Sequence, residues 1–381
     1  MMPHGIQWAA AGDRCWPSRE QELLLKAVVL TGAEALEALR EWESLGCFDK
    51  TDEASFRLLP LLYRNLREQG IGHDRLPLLK GIHRRAWYKN QVLFDAMAPV
   101  LESLHKAGFP LMLLKGIPLI LLYYQDPGVR PMRDIDVLVP RRDAQRAIEF
   151  LTAQGWTLIS WAPRRLLEGF FSFKHSLGFV AGPEKELDLH WHVLYQARTE
   201  EAERDFWQMV VPLEFQGVPA VALCQTDQFT TTLVHGMGWN PITPIRWIPD
   251  AMEILRRPPG VDWERFLDHA RRYRLGLPLR DALGYLAERF QAPVPTRVLD
   301  SLREIRVTLA EYSDYQTEVD PNLLLKPWDR IRGLYDRHRR SDTSALSFAR
   351  FLQYHWQLDS PWAMAPNAAV WVKVRLSRLF R

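Results

Sequence analysis

The chain has 381 residues, 47% of them hydrophobic and 25% charged, enough to bury two or three ordinary globular cores. Its 49 Lys and Arg against 46 Asp and Glu leave a formal charge of +3, which carries no strong nucleic-acid signal. Three scattered cysteines, Cys15, Cys47 and Cys224, match neither a disulfide framework nor a zinc site, and they suit a reducing cytosol.

The opening M-M-P-H-G-I-Q-W-A-A lacks a basic start followed by an apolar run. The longest apolar stretch, 117–124, is too short to cross a bilayer. The expectation is a cytoplasmic protein without a transmembrane segment. Residues 17–106 read as helical, and Ser18 followed by Gln21 matches a capping box. A second helix carries L-L-P-L-L-Y-R-N-L (58–66). A third runs from about Pro77 to Lys106, with apolar residues recurring at three and four.

Near residue 110 the pattern changes. L-M-L-L (111–114) reads as a strand, and Gly116 opens a short helix to about Tyr124. D-P-G (126–128) signals a turn, and D-I-D-V-L-V (134–139) is the next strand. Residues 141–154 form an amphipathic helix that Gly155 ends. W-T-L-I-S (156–160) is strand-like, and 171–181 with 186–194 form a hairpin across A-G-P-E-K. F-Q-G-V-P-A-V-A-L (215–223) adds an edge strand or a hairpin. From about Thr226 the spacing is helical again, residues 310–345 are polar and ambiguous, and the last twelve residues are basic and mildly amphipathic. That terminal stretch reads as a packed helix, with contact to an anionic membrane or a partner as the alternative. The fold class expected is α+β. A mixed-sheet core at 101–225 is flanked by helical regions at 1–100 and 226–381.

Chemistry concentrates in that core. Strand side chains alternate faces, so Asp134 and Asp136 point one way and Ile135, Val137 and Val139 the other. Two carboxylates on one face repel unless a cation sits between them, which suggests Mg²⁺ and phosphate chemistry. Lys115-Gly116 joins a strand to a helix, where a glycine lets a phosphate approach free backbone N–H groups. In E-L-D-L-H-W-H, Asp188, His190 and His192 share a face, and a neighbouring strand would make Asp188 the third carboxylate. Arg130 and Arg133 flank the pair, to balance charge or to hold a triphosphate. Two histidines at spacing two, without a third, are weak as a transition-metal site. His190 is the stronger candidate for contacting substrate or orienting Asp188. P-L-L-K-G-I (77–82) nearly repeats L-L-K-G-I but has no D-x-D strand behind it, and receives no role.

A glycine at a strand-to-helix turn, D-x-D on a strand and a third Asp on a later strand resemble the DNA polymerase β-like nucleotidyltransferase superfamily. L-L-K-G-I-P-L, then D-P-G-V-R-P-M-R-D-I-D-V-L-V, then E-L-D-L-H-W-H look like its uncharacterised bacterial nucleotidyltransferase family, in which K-G replaces the usual G-S. The likeness extends weakly to P-L-L-Y-R-N-L and to H-G with R-W-I-P-D (235–250). It implies a nucleotidyltransferase fold, with Asp134, Asp136 and Asp188 as catalytic metal ligands. Lys115, Gly116, Arg130, Arg133 and His190 would lie near nucleotide and phosphate. It also implies Mg²⁺, with Mn²⁺ possible, and transfer of NMP from an NTP to an unidentified acceptor. The acceptor would be a hydroxyl or phosphate of a peptide or protein, a sugar, RNA or a small molecule. The alternative is an inactive nucleotide-binding protein of the same fold. His192, His235 and Asp250 have no assigned role.

Overall fold

The computed structural model describes residues 16–48, 50–159, 171, 174–183, 185–238, 242–308, 311–312, 315, 335 and 348–355. The basic C-terminal stretch lies outside these residues, as does most of the ambiguous 310–345 segment.

Seven strands form one sheet. In chain order they are β1 (Met112–Leu114), β2 (Ile135–Leu138), β3 (Thr157–Leu158), β4 (Ser176–Val180), β5 (Glu186–His190), β6 (Val210–Phe215) and β7 (Val218–Leu223). Across the sheet the order is β3-β4-β5-β2-β1-β7-β6. The pairs β2/β5 and β1/β7 are parallel and the rest antiparallel, so the sheet is mixed and the fold is α+β. The 215–223 segment resolves as the turn and second arm of a hairpin. Gln216 and Gly217 both take positive φ, 51° and 78°, as a tight two-residue connection requires. β7 is interior and β6 is the edge.

Side-chain alternation gives the sheet two different faces. On one, Leu113, Ile135, Val137, Leu187 and Leu189 are fully buried. The helix Leu76–Lys106 covers them with Phe94, Met97, Leu101 and Leu104, and the helix Ala144–Ala153 adds Ala147, Ile148 and Leu151. Each large apolar side chain removed from water there contributes roughly 2 kcal/mol. The P-L-L-K-G-I segment lies at the start of this long helix.

The other face carries Met112, Leu114, Asp136, Leu138, Asp188 and His190. Its apolar part belongs to a second core, built jointly by helices from before and after the sheet. Leu24, Trp42 and Leu62 from the early helices share it with Phe229, Phe266 and Leu283 from the late ones. Polar contacts tie the same two groups. Tyr285 Oη donates to Glu22 at 2.9 Å, Arg256 Nη2 to the Val29 carbonyl at 2.8 Å, and Arg64 pairs with Glu253. The first helix begins as expected: Gln21 N donates to Ser18 Oγ at 3.2 Å and Ser18 N to Gln21 Oε1 at 3.0 Å.

Candidate active site

The sheet register assembles the site. Leu114 lies opposite Asp136, Asp136 beside Asp188, and Asp188 opposite Gly178, making one row across β1, β2, β5 and β4. Directly paired neighbours share a face, so both carboxylates emerge on the side away from the long helix. A Cβ on Gly178 would stand 3.0 Å from Asp188 Oδ1, so the glycine leaves room for that carboxylate. Asp134 precedes β2 and is half-buried beside them.

Asp136 is 5% exposed and doubly held. Lys115 Nζ lies 2.5 Å from its Oδ1, and His190 Nε2 lies 3.0 Å from the same oxygen. Among the described residues no hydrogen bond falls on Oδ2. Burial alone would raise the Asp136 carboxyl, but Lys115 and then His190 hold it well below the ordinary range. Asp134 goes the other way, pushed up to about 6 by burial and then by Asp136 and Asp188. Burial also works against the Lys115 charge, yet Asp136, followed by Asp188 and Asp134, keeps its ammonium protonated.

Each of Asp136, Asp188 and His190 offers a ligand atom within 4.8 Å of the others, a group that could hold a metal ion. The donor chemistry fits a divalent cation. Two aspartates and a histidine converge there, Asp134 adds negative charge nearby, the closest cation is a single lysine, and the buried His190 Nδ1 has no hydrogen-bond partner among the described residues.

Leu114 and Asp136 of this row open into a cleft of about 690 Å³, within the range of small-molecule sites, while Asp188 sits beside Asp136 without lining it. Lys115, Gly116, Arg130, Arg133, Asp134, Asp136 and His190 all line it. Gly116 is close-packed: a Cβ there would meet Met132 Cε at 2.6 Å and Arg130 Nη1 at 3.1 Å. Arg133 is exposed at the rim. Arg130 is clamped by Asp250, its Nε donating to Oδ1 and Nη2 to Oδ2, both at 3.0 Å, while Tyr124 Oη donates to Oδ1 at 2.8 Å. Arg130 thus hydrogen-bonds Asp250 rather than Asp134 or Asp136. Asp250 and His235 both line the cleft from the late helices. The protein around His235, and then the Lys115 charge, disfavour its protonation.

Two supporting residues escape sequence reasoning. Fully buried Asn90, on the long helix, donates to the carbonyls of Pro127 at 2.6 Å and Arg130 at 2.9 Å and accepts from Met132 N at 3.0 Å. It fixes the loop that carries Arg130 and Arg133, but a lone helical asparagine gives no local signal. Arg246 donates to the Pro131 carbonyl at 2.6 Å; its only signal is the R-W-I-P-D motif.

A second carboxylate–histidine cluster joins three helices and takes no part in lining the cleft. Arg265 reaches Asp227 through Nε and Nη2, both at 2.7 Å, and Asp205 through Nη1 at 2.8 Å. Tyr273 Oη donates to Asp205 Oδ2 at 2.7 Å, and His269 Nε2 lies 3.1 Å from it.

A mixed sheet that pairs Asp136 with Asp188 on neighbouring strands beside a nucleotide-sized cleft points to the class, a nucleotidyltransferase-type protein. Residues 54–291 match the family described as uncharacterised nucleotidyltransferase, and the chain belongs to that family. A crystal structure of an antigenic nucleotidyltransferase-like protein from Paracoccidioides brasiliensis aligns with 57% of this chain and 94% of its own, at 14% identity and a TM-score of 0.34. No curated protein matches the chain. No described helix is long and apolar enough to cross a membrane.

Proposed function

We propose that the protein transfers a nucleoside monophosphate from an NTP to an acceptor hydroxyl or phosphate and releases pyrophosphate. The observation that carries this reading is Asp136 paired with Asp188 on neighbouring strands, with Asp134 and Asp136 lining the cleft, in a chain of the nucleotidyltransferase family.

Asp134, Asp136 and Asp188 act as metal ligands, and His190 orients Asp136 through Oδ1. Bound Mg²⁺ or Mn²⁺ would polarise the attacked phosphoryl group and neutralise charge on the phosphates. An all-aspartate set suits Mg²⁺, whereas His190 as a donor tilts the set toward Mn²⁺. Asp188 positions the acceptor and takes its proton. Lys115, Arg133 and the backbone at Gly116 face the phosphates, and Arg130 adds positive charge from behind its clamp. The helical region before residue 101 leads into the core, and the one after residue 225 closes the cleft. A cytoplasmic setting, rich in NTP, completes the reading. The acceptor class stays open among a peptide or protein, a sugar, RNA and a small molecule.

The test is pyrophosphate release with each NTP, Mg²⁺ or Mn²⁺, and candidate acceptors. Full activity in the Asp134→Asn, Asp136→Asn double variant would sink the proposal. A second reading, nucleotide binding without transfer, draws on Gly116, whose approach side is filled by Met132. It predicts NTP binding in a calorimeter and no pyrophosphate with any acceptor.

A further inference from the structure

Along β1, alternation puts Leu113 into the apolar core and Leu114 onto the carboxylate face. Residue 115 would fall next on the apolar side, where an ammonium has no partner. Lys115 escapes that fate through its backbone. Its φ of 50° and ψ of −108° break the alternation and return the side chain to the carboxylate face. That conformation is strained for a residue with a Cβ, and it persists only where the surroundings hold it.

What holds it is charge. The ammonium sits 2.5 Å from Asp136 Oδ1, with Asp188 and Asp134 attracting it further. Two neighbouring cations of the cleft are already engaged, Arg130 by Asp250 and Arg246 by the Pro131 carbonyl. The Lys115 side chain is 35% exposed against 6% for Asp136, so the ammonium has a way into the cleft while the carboxylate stays put.

We propose that Lys115 is a built-in counter-ion of the carboxylate group, which a divalent cation entering at Asp136 and Asp188 displaces into the cleft, toward the phosphate oxygens of the nucleotide. The inference rests on the metal reading of this site. A divalent ion and an ammonium repel each other across one carboxylate group, and the ion with other ligands keeps the position. Lys115 thus stabilises the metal-free protein and weakens its affinity for metal in the absence of nucleotide.

Two measurements on the full chain test this. In the first, Lys115 of the unaltered protein is labelled with an amine-reactive reagent in EDTA and in Mn²⁺, with exposed Lys80 as the reference, and read by mass spectrometry. Release gives several-fold faster labelling of Lys115 in Mn²⁺; an equal or slower rate overturns the proposal. In the second, Mn²⁺ without nucleotide is titrated calorimetrically into wild type, Lys115→Met and Asp136→Asn. Lys115→Met should bind about tenfold more tightly and Asp136→Asn at least about tenfold more weakly. If Asp136→Asn weakens binding and Lys115→Met does not tighten it, the counter-ion role fails and the metal site stands. Unchanged binding in Asp136→Asn removes both. The labelling needs no variant, so it decides the matter even if Lys115→Met does not fold.

Discussion

Asp205 and Asp136 each touch a histidine and a cation, yet their surroundings treat them differently. Around Asp205 and Asp227, Arg265 and Arg272 match the acidic charges, and the Tyr273 hydroxyl donates a further bond. Around Asp136, two further aspartates crowd in and one lysine answers them. The titrations diverge accordingly. Burial alone would raise Asp205, but Tyr273 and Arg265 outweigh it and hold the carboxyl low. Asp134 is pushed up to about 6, by burial first and then by Asp136 and Asp188. A cluster that only holds helices together is neutralised from within. The cluster at the cleft keeps a surplus of negative charge that an outside cation can complete.

The largest effect should come from breaking the open cluster. Asp134→Asn with Asp136→Asn should lower pyrophosphate release by at least about a thousandfold, with an unchanged circular dichroism spectrum. Breaking the closed cluster should do the reverse. Arg265→Ala leaves Asp227 buried without its arginine, so urea denaturation should show a loss of about 3–5 kcal/mol, while the folded fraction keeps its Mn²⁺ affinity. Equal loss of metal binding in both variants would erase the distinction.

Acid sharpens the contrast further. A carboxyl whose pKa is lowered on folding contributes stability that is complete above its unfolded value. That stability is lost as pH falls through the folded value. Wild type should therefore lose stability more steeply than Asp205→Asn as pH drops below about 4, as read from urea midpoints between pH 7 and 3. Parallel curves would show that Asp205 contributes nothing. The smallest effect is expected from Gly178→Ala. Its methyl would press on Asp188 Oδ1 from 3.0 Å and on Ile159 Cδ1 from 3.2 Å. Mn²⁺ affinity should fall a few-fold with little change in melting temperature; an unchanged titration would mean that Asp188 accommodates it.

Local periodicity makes the long helix, the I-D-V-L strand and the β4–β5 hairpin legible in the sequence. Asp188 could be singled out because alternation in E-L-D-L-H-W-H is itself local. That β5 runs parallel to β2 with Asp188 beside Asp136 is a long-range register, and no spacing within either strand encodes it. Lys115 shows a different limit. Strand alternation sends it to the wrong face, and only its positive φ, which no residue type announces in a lysine, brings it back. The Asp205–Asp227–Arg265 cluster was silent for the same reason as the register: its members lie on three helices, and each reads alone as ordinary surface charge.

The shared core of early and late helices also bears on how the chain reaches its native state. Glu22 waits for Tyr285, and Glu34 for Gln291, across sequence separations of 263 and 257 residues. During synthesis the first helices leave the ribosome long before their partners exist, with Leu24, Trp42 and Leu62 still in water. Such long-range closure slows folding and prolongs exposure of sticky surface. Chaperone dependence and inclusion bodies at high expression rates are the practical outcome to expect of this topology.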